Sequence, residues 1–506
     1  MEVPQISMVT DESIETAFPF DSFRKYQKKA IRKVLDAFSS GKSFVILDAP
    51  TGSGKSPMAV AIARIAGQAH FITIQKMLQD QYHRDFSEMA VIKGRGNYQC
   101  MRGAENCASG LCITRKLQRC AACPYWHAIG AANLSNFTVH NFDSFYYQRK
   151  HFSPRELLVV DEAHNIEQKF MGFVSFTINN RDFLIDLPDV IKTTDYIPIL
   201  EKYMLQLIRV IEKIEADELV DGGSTRILML YTDLIARIER FLKSVEEGVE
   251  FIHEREEKPG FTTVKFKPVM IDTFTPTIFG YGRKVLLMSA TIIDPEQFCA
   301  SVGVEREWAK YIGMPSTFPV KNRPLVVTKE LDLRYKVMQQ EMPKIPRVVQ
   351  RYLDQYPEEK GVIHTHTNKL LGYIRQQIRS PRFLFKEDFE NVNALLDEHG
   401  RKPGSVIVAA GFHEGLDLKD DLARFQIILK VPYPDLSDKQ IKRRMELDKR
   451  YYSYLTSLKL IQSYGRGVRS QEDWCDCYIV DVNFQKFFWM YKGRLPKWFL
   501  SAIQWP

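Results

Sequence analysis

No stretch of the sequence approaches the roughly 20 consecutive apolar residues that a membrane-spanning helix needs. The first residues carry acids where a signal peptide carries bases, and no apolar segment follows them. The expectation is a soluble, cytoplasmic protein with no membrane role. Low-complexity tracts and internal repeats of fixed period are also absent, which sets aside disordered and solenoid organisation. Cysteine is sparse but uneven: of eight in 506 residues, Cys100, Cys107, Cys112, Cys120 and Cys123 fall within 24 positions. A disulfide framework belongs to small secreted chains, so this cluster reads as thiolate metal ligation, with four ligands and one spare. Charge of one sign is not in large excess. Seventy Lys and Arg against 62 Asp and Glu give +8, which favours polyanionic partners without marking a purely electrostatic binder.

What is present is ordinary globular material, 45% hydrophobic and 26% charged, long enough for several domains with real cores. The apolar run FVIL before Asp48 predicts a buried parallel strand, and Pro57 fits the first turn of a helix starting near Ser56. HFITI with a polar amphipathic helix, and then RELLVVDE, continue a strand and helix alternation that implies a parallel α/β sheet. Residues 195–250 change to helical spacing, two segments separated by DGGS at 221–224, and predict an inserted helical hairpin. Strand signals resume with TTVKFKPV and RKVLLMSAT. GVIHTHT, SVIVAAG, RFQIILKV and CDCYIVDV predict a second α/β lobe, with a boundary in the proline-rich MPSTFPVKNRP at 314–324. His364 and His366 in VIHTHT read as strand residues rather than ligands.

The chemistry begins at APTGSGKS. Ala49, Pro50, Thr51, Gly52, Ser53, Gly54, Lys55 and Ser56 have the Gly-Lys-Ser end of a phosphate loop, with alanine at the usual first glycine. Backbone N–H groups at 52–54 curl round phosphates, Lys55 reaches the β and γ oxygens, and Ser56 ligates Mg²⁺. In LLVVDEAH, Asp161 ends a strand where it can hold the same Mg²⁺. Glu162 is placed to deprotonate the attacking water, and His164 to sense the γ-phosphate. Arg466 and Arg469 in QSYGRGVRS share a helical face and supply the charge that stabilises the γ-phosphate during transfer. Glu414 and Asp417 in GFHEGLDL are candidates for coupling nucleotide state to the opposite lobe, and SAT at 289–291 for linking the lobes. Aromatics flanking the cysteines (Tyr98, Tyr125, Trp126, Phe142, Phe145, Tyr146, Tyr147), with Lys93, Arg95, Arg102, Arg115, Lys116 and Arg119 among them, could stack bases, although most read as core.

The ordered set FRKYQ, DAPTGSGKS, cysteine cluster, DEAH, MSAT, GFHEGLDL and QSYGRGVR resembles the iron-sulfur superfamily 2 helicases of the XPD and DinG type, over nearly the whole chain. The resemblance implies an α/β fold with two RecA-like parallel-sheet lobes, an inserted Cys-rich iron-sulfur domain and an inserted helical arch. The corresponding ranges are 1–92, 128–165 and 264–313 for lobe 1, 93–127 for the metal domain, 166–263 for the arch and 314–506 for lobe 2. It further implies adenine recognition by Arg24 and Gln27, DNA-backbone contact by Gln75 and Lys76, and Gln462, Arg466 and Arg469 facing the γ-phosphate. Cys100 would be the first cluster ligand and Cys123 the last. Cys112 and Cys120 are the remaining pair, because Cys120 and Cys123 have metal-site spacing, and Cys107 is the alternative. The implied cofactors are ATP, Mg²⁺ and a [4Fe-4S] cluster, with zinc as the alternative. A compact arch, and no fused domain expected after the arginine motif, would resemble a pared-down viral (phage) member acting in the host cytoplasm.

The function expected is an ATP-dependent DNA helicase, a monomer moving 5′ to 3′ on single-stranded and forked DNA with the metal domain as wedge, alongside replication or repair proteins. The competing reading is an ATP-switched clamp or remodeller that does not unwind. A metal-dependent nuclease lacks a separate acid cluster.

Overall fold

A computed structural model describes residues 10–74, 76–114, 118–181, 185–216, 222–411 and 418–505. The strands, in chain order, are β1 (Phe44–Asp48), β2 (Ala69–Thr73), β3 (Met89–Ile92), β4 (Phe137–Asn141), β5 (Arg155–Asp161), β6 (Phe176–Asn179), β7 (Phe251–Lys258), β8 (Phe261–Pro268), β9 (Gly282–Ser289) and β10 (Ala309–Gly313). They continue with β11 (Leu325–Leu331), β12 (Gly361–His364), β13 (Phe383–Phe385), β14 (Val406–Ala409), β15 (Phe425–Ile428), β16 (Asp476–Asp481) and β17 (Ile503–Gln504). Two seven-stranded parallel sheets result, ordered β10-β1-β9-β5-β2-β4-β3 and β13-β14-β12-β15-β16-β11-β17. This is the two-lobed α/β architecture that the sequence implies.

Both sheets are buried on both faces, which explains their apolar runs. In the first, Ile46, Ile72, Leu158, Val160 and Leu287 point into one core while Val45, Leu47, Phe71, Val159 and Met288 point into the other. Alternation along each strand thus feeds two layers at once. One of those layers does not stop at the lobe. It runs on through Cys107, Cys123, Tyr125 and Ile129 of the cysteine segment and through Phe176, Ile178, Phe241 and Phe266 of the insertion after DEAH. Both insertions therefore share a core with the sheet that carries the phosphate loop.

The helical hairpin is present, as helices Ile197–Ala216 and Gly222–Glu246. The TTVKFKPV strand, however, joins neither parallel sheet. As β8 it pairs antiparallel with β7 and β6, forming a small three-stranded sheet at the hairpin's base. The reason is local: Gly260, at φ +85°, closes a tight turn between Lys258 and Phe261. The division expected at 263/264 falls inside β8, and that at 127/128 inside helix Pro124–Leu134. Among the described residues no helix is long and apolar enough to cross a membrane.

Helix Lys439–Leu447 of the second lobe is the strut between lobes. Lys267 of β8 bonds Glu254 at 2.9 Å and Asp438 at 3.1 Å, and the Gln440 amide donates to the Pro268 and Val269 carbonyls. Deeper in, Arg444 is only 2% exposed. Its guanidinium pairs with Glu167, donates to Ser301 Oγ at 2.8 Å and lies 3.9 Å over the Tyr451 ring, whose hydroxyl donates to Glu167. Glu167 belongs to helix Ile166–Val174, which follows DEAH directly. Removing one member of a buried pair leaves the other charge uncompensated. Arg444→Ala is therefore expected to lower unfolding free energy by about 3–5 kcal/mol. Arg443→Ala, which loses only surface pairing to Glu250 and Glu446, should leave the denaturation midpoint nearly unchanged.

Candidate active site

The C-terminal ends of β1, β9 and β5 lie side by side, so Asp48, Ser289 and Asp161 form one floor. Above it the phosphate loop turns into helix Lys55–Ala66, whose first N–H groups and positive dipole end face the cleft. Gly52 and Gly54 have φ of +76° and +77°, and neither has room for a side chain. A Cβ at Gly52 would strike the Phe318 ring and stand 3.1 Å from the Arg469 carbonyl, whereas one at Gly54 would strike the Gln27 amide. The loop is held from below by residues of the FRKYQ segment. Arg24 donates to the Gly52 carbonyl at 2.7 Å, and Gln27 to the Ser53 and Gly54 carbonyls at 3.1 and 3.2 Å, while Gln27 Oε1 accepts from the Arg24 N–H.

A cavity of about 770 Å³ opens over this floor. Pro50, Thr51, Gly52 and Lys55 line it from the first lobe, Glu162 and His164 from DEAH, and Gln462, Arg466 and Arg469 from the second lobe. Glu162 sits at left-handed φ 55° immediately after β5, a strained position for a residue with a side chain. Burial alone would raise its carboxyl. The positive field of Lys55, with Arg466 and Arg469, overrides that and holds it below the usual carboxylate range. Asp161 is the opposite case: burial first, and the Glu162 charge second, push it up to about 6. Tyr82, which no local pattern singles out, donates to Asp161 Oδ2 at 3.0 Å and lies near the Ser56 hydroxyl. It thereby brings together the two oxygens proposed for Mg²⁺, and this oxygen donor set suits that ion. Burial pushes His164 down to about 4, so its ring is neutral at pH 7, with Nδ1 2.7 Å from Ser289 Oγ of the SAT segment. Lys76 opens helix Lys76–Asp85 on the exposed surface beyond β2. Glu414 and Asp417, with Gln75, Arg115 and Lys116, lie outside the described residues.

The cysteine segment contributes a second group. Cys107 Sγ is 3.9 Å from Cys123 Sγ, and Cys120 lies close enough to influence the Cys123 thiol. The missing Cβ of Gly110 leaves space facing the Cys100 and Cys112 sulfurs, 3.3 and 3.7 Å from where it would stand. The spacing-based alternative, Cys107, is thus one of the two buried cysteines of this segment and lies against Cys123. Among the described residues no three ligand-type side chains are already set for a metal. The donors fit a thiolate-bound metal in kind and in number. Helix Pro124–Leu134, which begins after Cys123, is tied to β5 through Arg155, whose guanidinium donates to the Ala69, Asn136, Ala132 and Ser135 carbonyls. Of the flanking aromatics, Tyr125, Phe142, Phe145 and Tyr146 are core and Tyr147 is exposed. Arg95 and Arg119 stack on Tyr125 and Trp126.

A family model described as type III restriction enzyme, res subunit, matches residues 21–187, and one described as helicase C-terminal domain matches 350–502. The chain is 20% identical to the ATP-dependent DNA helicase XPD of Sulfolobus acidocaldarius, over 92% of this chain and 97% of that one. Over nearly its whole length the chain is similar to this XPD-type helicase. A solved XPD helicase structure covers 96% of this chain and 100% of its own at TM-score 0.69 and 15% identity, which establishes the shared fold. A shorter match, 26% identical over 161 residues, is to the Fanconi anemia group J protein homolog of Gallus gallus; it takes in 28% of this chain and spans only 13% of that relative's length.

Asp48, at the base of the loop, accepts from the Tyr311 hydroxyl at 2.8 Å, and burial raises its carboxyl from 3.8 to about 6. Because the folded value lies above the unfolded one, this contribution to stability is full below about pH 4 and is lost as pH rises through about 6. A displacement of that size corresponds to about 3 kcal/mol. Denaturation midpoints measured across this window should fall in the parent chain relative to Asp48→Asn, in which the slope from this group disappears.

Proposed function

We propose that the chain is an ATP-driven motor on single-stranded DNA that separates forked duplexes. The observation that carries this reading is the Glu162 carboxylate facing Lys55 from one lobe and Arg466 and Arg469 from the other across one cavity. Lys55 and the loop N–H groups would bind the phosphates. Ser56 and Asp161 would hold Mg²⁺, which, when bound, draws charge from the β and γ oxygens. Glu162, kept ionised by its cationic surroundings, would accept the proton of the attacking water. Neutral His164 and Gln462 would orient the γ-phosphate side, and Arg466 and Arg469 would meet the charge that develops there only when the lobes are closed. His164 is bonded to Ser289 and lies three positions before Glu167, in the turn that leads into helix Ile166–Val174, so phosphate loss would be felt at the Arg444 strut.

The cysteine group would hold a [4Fe-4S] cluster or zinc, with Cys107 and Cys123 among its ligands, and would make the segment rigid enough to part a duplex. The 5′-to-3′ direction rests on the family resemblance.

Glu162→Gln should lower ATP turnover by about 10²–10⁴-fold while ATP still binds. In the parent protein, hydrolysis should rise with single-stranded DNA, and a 5′-tailed duplex, not a 3′-tailed one, should be unwound. Stimulated hydrolysis without unwinding on either tail would favour a clamp or remodeller, and hydrolysis indifferent to any strand would contradict the motor. Metal analysis of anaerobically purified protein should show loss in Cys107→Ser. Full metal content in that variant would remove Cys107 from the ligand set.

A further inference from the structure

We propose that a second cleft, on the linker side of the joint between the lobes, binds an additional stretch of single-stranded nucleic acid. This rests on the reading that the chain acts on such a strand. The cleft measures about 1510 Å³ and lies between the edge strand β10 of the first sheet and residues 493–501, which lead into the edge strand β17 of the second. It adjoins the nucleotide cavity through Phe318, Arg323 and Trp498 but is larger than the roughly 300–1,000 Å³ that small ligands occupy. Its size calls for a polymer.

Its charge calls for a polyanion. Arg306 and Lys310 line it from the first lobe, Arg450, Arg494 and Lys497 from the second, and Arg323 from the linker. The acids are Asp48, Asp294 and Glu296, and each is already engaged. Asp48 is buried against Tyr311, Asp294 caps helix Pro295–Ser301, and Glu296 pairs with Arg306 at 2.8 Å and with Arg450 at 3.4 Å. Among the described residues Lys310, Arg494 and Lys497 make no ion pair, so phosphates would meet cations that have no acid to leave.

The surface beyond the cleft extends the same character. Residues 483–505 contain four cations (Lys486, Lys492, Arg494, Lys497), no Asp or Glu, and three of the protein's six tryptophans. Trp489 is 58% exposed with Lys492 Nζ 4.1 Å from its ring centre, Trp505 is 38% exposed, and Trp498 stacks on Tyr464 at the cleft wall. Cations alone would suit an acidic peptide equally. Exposed indole faces among them suit bases, which stack while their phosphates are neutralised. Because Lys310 belongs to one lobe and Arg494 and Lys497 to the other, a strand in this cleft would span the joint and be gripped differently as the lobes close.

Arg494, Lys497 and Trp489 lie outside the nucleotide cavity, so the full-length variants Arg494→Glu/Lys497→Glu and Trp489→Ala should keep the parent's strand-free ATP turnover and melting temperature. Binding of an oligo-dT of about 20 nucleotides is followed between about 50 and 200 mM salt. The double variant should bind at least about tenfold more weakly at low salt, and its log–log salt slope should shrink by about 1.4, two phosphate contacts' worth. Trp489→Ala should lose about fivefold or more. Parent-like affinity and slope in a protein whose ATPase the strand still stimulates would overturn this proposal alone. A parent protein whose ATPase ignores strands, with the slope loss still seen in the double variant, would fail the motor reading and keep this one. Unchanged oligo-dT binding with lost binding of poly-glutamate would assign the surface to an acidic protein segment and overturn it.

Discussion

The arrangement depends on one half-buried carboxylate and the cations set around it. Glu162 ends a strand in a strained left-handed turn, inside a cleft where burial opposes its ionisation. Lys55 comes from its own lobe, and Arg466 and Arg469 come from the other. Both lobes thus contribute to holding that charge, so the electrostatics of the site favour the two lobes facing each other. A γ-phosphate entering the same space would compete for the same cations, which is how nucleotide state can be converted into a force between lobes.

A short path connects the two sides of the cleft. DEAH passes directly into the helix that carries Glu167, and Glu167 holds the buried Arg444 of the second lobe. Arg444 in turn packs on Tyr451, at the start of helix Arg450–Tyr464, and Arg466 and Arg469 follow the end of that helix. The carboxylate and the arginines that face it are therefore connected twice, across the cavity by charge and round its side by a strut. The two insertions share a hydrophobic core with the first sheet, and Arg155 ties the helix after Cys123 to β5. The cleft and the cysteine segment are thus joined by continuous packing.

Much of this was legible in the chain itself, because the phosphate loop and DEAH occur where apolar strands end, and both sheets being doubly buried gives unbroken apolar runs. The helical hairpin was legible from its 3.6-residue period. β6 and β7 were not, since FTIN is short and five of the eight residues of FIHEREEK are charged, and their sheet faces solvent on one side. Arg444 lies in KQIKRRMEL, which reads as a solvated basic helix; only tertiary packing reveals that one of its cations is buried on Glu167. Tyr82 carries no signal because its role is to join Ser56 and Asp161, 105 positions apart in sequence, through space. Spacing ranked Cys107 behind Cys120 because it rewards near neighbours, whereas the fold brings Cys107 back onto Cys123.

The most direct test of the central claim is a double-mutant cycle on ATP turnover using Glu162→Gln and Arg466→Ala. If both groups serve one closed site, the double variant should be about as slow as the slower single variant, a strongly non-additive result. Losses that multiply independently would show that carboxylate and arginine do not act on the same phosphate, and would contradict the account.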